Sequence, residues 1–125
     1  MIGLTDLEQA VLDKLLAGDH PVLATLRQQS TQARLAKREY TGVGFYCDLE
    51  VSSDAPTVQG DFYLGDVCAE LNGLAHGAGF VLYIRGGRLN MLEGYTYDEQ
   101  WPDRIRGFSL RYSESDRKSE MAKLG

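Results

Sequence analysis

The chain has 125 residues, 43% of them hydrophobic and 25% charged, with a formal net charge of -5. That length suits one domain, whose core can bury roughly two-thirds of the unfolded chain's surface without disulfide or metal staples. No apolar run approaches the roughly eighteen residues of a membrane span, and the opening "MIGLTDLEQAVLDKL" carries Asp6, Glu8 and Asp13 with no basic leader, which excludes an ordinary signal peptide; a cytoplasmic protein with Cys47 and Cys68 reduced is expected.

Thr5-Asp6-Leu7-Glu8 has capping-box spacing, with a hydroxyl at the N-cap and a carboxylate three residues on. Leu7, Val11 and Leu15 follow on one face, with Leu4, Leu12 and Leu16 alongside, so an amphipathic helix is expected to end near Gly18. Pro21 suits the first turn of a second helix, with Asp19 as its cap and with Val22, Leu26, Gln29, Ala33 and Ala36 on one face. Two helices joined by a short turn are expected to pack as an antiparallel pair.

The apolar period then changes from helical to alternating. Val43, Phe45, Cys47, Leu49 and Val51 alternate with Gly44, Tyr46, Asp48 and Glu50, a half-buried strand. "SSDAPTVQG" (52–60) reads as a polar loop or long hairpin connection. In the next strand, about 61–71, Phe62 and Leu64 share one parity while Val67, Ala69 and Leu71 share the other. A bulge at Gly65 restores their common facing. "NGLAHGAG" (72–79) breaks the chain, Phe80, Leu82 and Ile84 open a third strand, and "RGGR" (85–88) is a two-residue hairpin signal. Both of its glycines can take the positive φ of a type I′ turn. A fourth strand returns over 88–94, Pro102-Asp103 opens a short helical turn, and Phe108, Leu110 and Tyr112 alternate in a fifth strand.

The expected fold is therefore α+β: an N-terminal helical hairpin packed on one face of a four- or five-stranded antiparallel sheet, arranged as a meander. The domain is expected to span residues 1–112. Residues 113–125 are polar without an apolar period and read as a frayed tail.

Charge is uneven along the chain. Residues 39–103 hold eleven acidic and two basic groups, net -9, whereas residues 1–38 are net +1 and residues 104–125 net +3. Such a middle repels phosphate, so nucleic acid is a poor partner, and a basic protein surface suits it better. No CxxC, HExxH or calcium-loop spacing is present, and His20 and His76 are far apart; no metal, cofactor or catalytic set is assigned. "GLAHGAGF" has the glycines of a phosphate loop but precedes a strand rather than a helix.

By alternation, Tyr46, Asp48, Glu50, Asp66, Glu70 and Tyr83 project from the sheet face away from the helices. "MLEGYTYDEQWP" (91–102) extends that surface with Glu93, Tyr95, Tyr97, Asp98, Glu99 and Trp101. Tyrosine among carboxylates is interface composition, although Tyr and Trp also pin loops to a core. "GFVLYIRGGRLNMLEGYTYDEQWP", with "YTGVGFYCDLEV" and "GDFYLGDVCAEL" before it, resembles a family of small bacterial proteins without an assigned function that share a GRLxMLEGYTYxExWP-like segment. The resemblance covers about residues 3–112 and implies a compact bacterial cytosolic domain; it brings no catalytic residues. These features together favour a non-enzymatic protein-binding domain, an immunity-type protein being one concrete form, holding a basic partner on the twelve residues just named. A homodimer is compatible with that reading. The alternative is a small enzyme or small-molecule-binding domain with a pocket near Glu93, Tyr95 and His76.

Overall fold

A computed structural model describes residues 1–125. Helix α1 (Asp6–Leu15) begins as its spacing requires: the Thr5 hydroxyl accepts the Glu8 N–H at 3.2 Å, and the Glu8 carboxylate accepts the Thr5 N–H at 2.9 Å. Leu7, Val11, Leu12 and Leu15 are buried. Helix α2 (Pro21–Ser30) has proline in its first turn. Its cap is His20 rather than Asp19, with Nδ1 accepting the Val22 N–H at 3.1 Å. Asp19 stands one position too early to reach that amide.

The second helix is shorter than expected. It stops at Ser30, where the Ser30 and Thr31 hydroxyls donate back to the carbonyls of Arg27 and Gln28 at 2.8 and 2.7 Å. Such local bonds compete with helix continuation. Ala33 and Ala36 therefore lie outside the helix, and Arg34–Tyr40 form an unexpected edge strand, β1. Its period is concealed by a bulge between Leu35 and Lys37. Its inward position 38 is also charged, because Arg38 pairs with the buried Glu8 of α1.

The sheet has six strands, not four or five. After β1 come β2 (Gly44–Glu50), β3 (Phe62–Leu71), β4 (Ala78–Arg85), β5 (Arg88–Thr96) and β6 (Phe108–Tyr112). Their order in space is β1-β2-β5-β4-β3-β6, with every pair antiparallel. Only β3-β4-β5 is a meander. β2 lies beside β5, so residues 51–61 cross the upper end of the sheet past the β4–β5 hairpin instead of closing a hairpin of their own. Val58 N–H donates to Gly87 at 3.1 Å and Gly87 N–H donates to Gly60 at 2.9 Å. The hairpin has the expected glycine geometry, with φ of 57° at Gly86 and 74° at Gly87. Gln29 fastens it from α2: its amide donates to Pro56 and Gly87, each at 2.8 Å, and its oxygen accepts Leu89 N–H at 2.9 Å.

Both N-terminal helices pack on one sheet face, over Phe45, Cys47, Leu49, Leu64, Val67, Phe80, Leu82, Ile84, Leu89 and Leu92. The register of β3 shifts between Leu64 and Val67, which brings both halves of its split apolar pattern inward. The Pro102-Asp103 turn does not form; residues 101–107 run without helix along the lower end of the sheet. Residues 113–125, expected to fray, carry a short helix, α3 (Lys118–Ala122). They are fastened by Arg117, whose guanidinium donates to Asp66, Ala17 and Leu15.

Candidate functional site

The helices cover one sheet face and leave the other bare. Cross-strand register determines what stands on the bare face. Tyr46 of β2 lies opposite Glu93 of β5, which lies opposite Val81 of β4. One row on, Asp48 faces Met91, Met91 faces Tyr83, and Tyr83 faces Tyr63 of β3. On the other side, Tyr95 faces Gly79, which faces Cys68. Four adjacent strands thus contribute Tyr46, Tyr95, Tyr83 and Tyr63 to one patch, and Tyr97 extends it.

The patch is ordered by specific contacts. Tyr83 donates its hydroxyl to Glu93 at 2.9 Å. Tyr83 and Tyr63 rings sit 6.4 Å apart, and Tyr95 meets Tyr97 edge-on at 5.7 Å. Gly79 makes room for the Tyr95 ring lying over it: a Cβ there would overlap the hydroxyl end of the ring, which would have to shift. Burial, and then the neighbouring Tyr97, push the Tyr95 phenol up to about 12. The Glu93 charge raises the Tyr46 phenol, and burial followed by the Glu93 hydrogen bond raises that of Tyr83. All three phenols keep their protons at neutral pH, and that of Tyr83 is already given to Glu93. Tyr63, not named from the sequence although the alternation of Phe62 and Leu64 turns it outward, is 53% exposed.

The twelve residues expected on this surface divide. Tyr46, Asp48, Glu50 and Glu70 are exposed on the bare face, with Tyr83, Glu93 and Tyr95 half-buried among them. Tyr97 and Asp98 are exposed in the following loop. Asp66 and Trp101 do not belong. Asp66 is 3% exposed and gripped by Arg117, because the β3 bulge turns it away from the bare face. Trp101 is buried edge-on against Phe45 and Phe80, with ring centroids 5.2 and 6.5 Å away. Glu99 serves the fold: its carboxylate accepts the N–H groups of Ala75 and His76 at 2.8 and 3.1 Å. Those two bonds hold its pKa below the usual carboxylate range and tie the 72–77 loop to the 97–101 loop.

The charge of the face is also milder than its sequence segment. β1 lies beside β2, so Arg34 pairs with Glu50 at 3.0 Å and Lys37 approaches Glu39 at 3.9 Å. Arg85 stands 4.0 Å from Asp61. Asp48, Glu70 and Glu93 are the carboxylates of the face without an ion pair.

Two grooves open at the lower end of the sheet. One, of about 680 Å³, lies between the start of α1 and the 100–108 segment, over Phe45 and Trp101. The other, of about 700 Å³, is lined by Cys68, Glu70, His76, Tyr97 and Arg111 among others. Glu93 and Tyr95 line neither, so the pocket expected from Glu93, Tyr95 and His76 together is not formed by these grooves. No group of three or more His, Cys, Asp or Glu side chains stands close enough to hold a metal ion, and no helix is long and apolar enough to cross a membrane. Comparison with protein-family models, with curated proteins and with solved structures found no match to this chain.

Proposed function

We propose that this chain is a non-enzymatic protein-binding domain of the bacterial cytoplasm that holds its partner on the bare sheet face. The observation that carries the proposal is the convergence of Tyr46, Tyr63, Tyr83 and Tyr95 from four adjacent strands on the face that no helix covers. Tyrosines fixed on a sheet present large amphipathic area at little entropic cost, the composition of binding hot spots. Asp48, Glu70 and Glu93, free of ion pairs, favour a partner that offers lysine or arginine between apolar contacts. Neutralisation of a basic toxin, an immunity-type role, is one concrete form of this reading. The resemblance of the 79–102 segment to small bacterial proteins belongs to the same proposal.

The test is capture from a bacterial extract, followed by direct titration of the purified partner. Wild type is compared with Asp48→Lys/Glu50→Lys/Glu93→Lys, with Tyr63→Ser/Tyr83→Ser, and with Gln28→Ala on the helical side as a control. Loss of the partner in both face variants and its retention by the control are expected. Equal affinity in all four proteins removes the proposal.

A further inference from the structure

The sheet ends in an incomplete edge. β6 pairs with β3 only from Val67 to Leu71, so the upper part of β3, residues 62–66, has no strand on its outer side. Unpaired strand edges invite another chain, and natural proteins cover them. Here the cover is the C-terminal segment. Ser113 N–H donates to Asp66 at 2.8 Å. Beyond it, side chains replace a strand: the Glu120 carboxylate accepts the Gly65 N–H at 3.0 Å, and the Lys123 ammonium donates to the Tyr63 carbonyl at 3.1 Å. The backbone groups that a neighbouring strand would bond are thus held by Glu120 of α3 and by Lys123 just beyond its end.

The fastening is uneven along the segment. Arg117 is the fixed point: it is 6% exposed, it stands in the left-handed region with φ of 56°, and it bonds Asp66 and the end of α1. α3 itself has no buried residue. Besides Glu120 and Lys123, residues 118–125 are held by the His20 ring at 3.1 Å from the Gly125 carbonyl and by Met121 and Leu124 lying partly buried against the core, while the nearby Glu114 carboxylate accepts the Ser119 N–H and hydroxyl at 2.7 and 3.2 Å. A segment with little buried apolar area and solvent-side polar bonds opens at low cost.

We infer that residues 118–125 are a displaceable guard, pivoting at Arg117, over a strand-docking edge at residues 62–65 of β3, and that the occupant of the opened edge is the same edge of a second copy. Two identical edges are self-complementary when they pair antiparallel about a two-fold axis, so each β3 supplies the partner that the other lacks. Opening the guard also frees Tyr63, whose ring carries the Lys123 ammonium at 4.0 Å. The inference does not depend on what binds the bare face.

The test uses the full chain. Glu120→Ala/Lys123→Ala removes both edge contacts and leaves the Arg117 anchor intact. Hydrogen exchange of the Gly65 amide is expected to quicken roughly tenfold or more, and sedimentation is expected to show a concentration-dependent dimer that wild type does not form. Glu120→Gln/Lys123→Arg, which keeps an acceptor and a donor, should remain monomeric. Adding Tyr63→Pro to the alanine pair should restore the monomer. Residue 63 points its carbonyl outward, so its N–H points outward too, and proline is tolerated where an edge N–H faces solvent. Far-UV circular dichroism confirms that each variant retains its sheet. The inference is overturned by a wild type that is already dimeric at these concentrations, by a folded alanine pair that stays monomeric, by unchanged Gly65 protection, or by a dimer that survives Tyr63→Pro.

Discussion

The guanidinium of Arg117 holds both carboxylate oxygens of Asp66, at 2.7 and 2.9 Å, with both side chains nearly out of water. The same group caps the carbonyls of Ala17 and Leu15 at 2.9 and 3.0 Å, at the C-terminal end of α1. It lies 4.3 Å above the Tyr112 ring. One residue near the C-terminus therefore joins α1, β3 and β6. Arg117→Leu strands a buried carboxylate and is expected to destabilise the fold by about 3–5 kcal/mol, against a smaller loss for Arg117→Leu/Asp66→Leu, in which no charge is left unpaired. Urea unfolding of the three proteins measures this; a double variant as unstable as the single one would contradict it.

Glu8 is a second buried acid with a different signature in pH. Burial alone raises its pKa, but the Arg38 hydrogen bonds and the Thr5 amide together outweigh burial and hold it below the ordinary value of 4.5. A depressed folded-state pKa contributes stability above the unfolded value that is lost as pH falls through the folded one. The stability difference between wild type and Glu8→Gln should therefore be largest near neutrality and shrink below pH 4.5. A difference that stays constant down to pH 3 would count against the Glu8–Arg38 linkage.

The two cysteines should react separately. Cys47 is sealed in the core, where burial, then the nearby Glu8 charge, push its thiol up to about 12. Cys68 is half-buried on the bare face opposite Gly79. Only the thiolate reacts, so a disulfide reagent at pH 8 is expected to label Cys68 in the native protein and Cys47 only after denaturant is added. Labelling followed by peptide mapping identifies the site. Rapid native labelling at Cys47 would refute the buried, protonated thiol.

Gln29 links the crossover to the hairpin. Its removal leaves the Pro56 carbonyl and the Leu89 N–H without their partner, while the Gly87 carbonyl keeps the Val58 N–H at 3.1 Å. Two orphaned backbone groups at about 1–3 kcal/mol each predict a loss of about 2–6 kcal/mol for Gln29→Ala. The denaturant midpoint should fall with little change in slope. Gln29→Glu, which loses the donating amide and buries a charge, should fall further.

The alternation of β2 placed Phe45 and Cys47 inside and Tyr46 and Asp48 outside, since facing requires only the period of the strand. The bulge in β3 was legible as a break in parity at Gly65, but its consequence for Asp66 was not. The sense of a bulge depends on the strand beside it, and the partner of Asp66 lies fifty-one residues away. β1 stayed hidden because its inward positions hold Leu35 and Arg38, and a charged residue can face inward only when another element supplies Glu8. Trp101 illustrates the limit of composition: its acidic neighbours suggested a surface, whereas its ring fills the gap beside Phe45 and Phe80.

What the sequence determined by itself is local: the Thr5–Glu8 cap, the proline start of α2, the Gly86-Gly87 turn and the α+β class. Each depends on residues within one turn or one strand of each other. The tertiary structure alone decided which strands adjoin, and with that the character of the bare face. Placing β2 between β1 and β5 brought Arg34 to Glu50 and Tyr46 to Glu93. A stretch that is acidic along the chain became a tyrosine patch with three unpaired carboxylates, because charges interact through space and not through sequence.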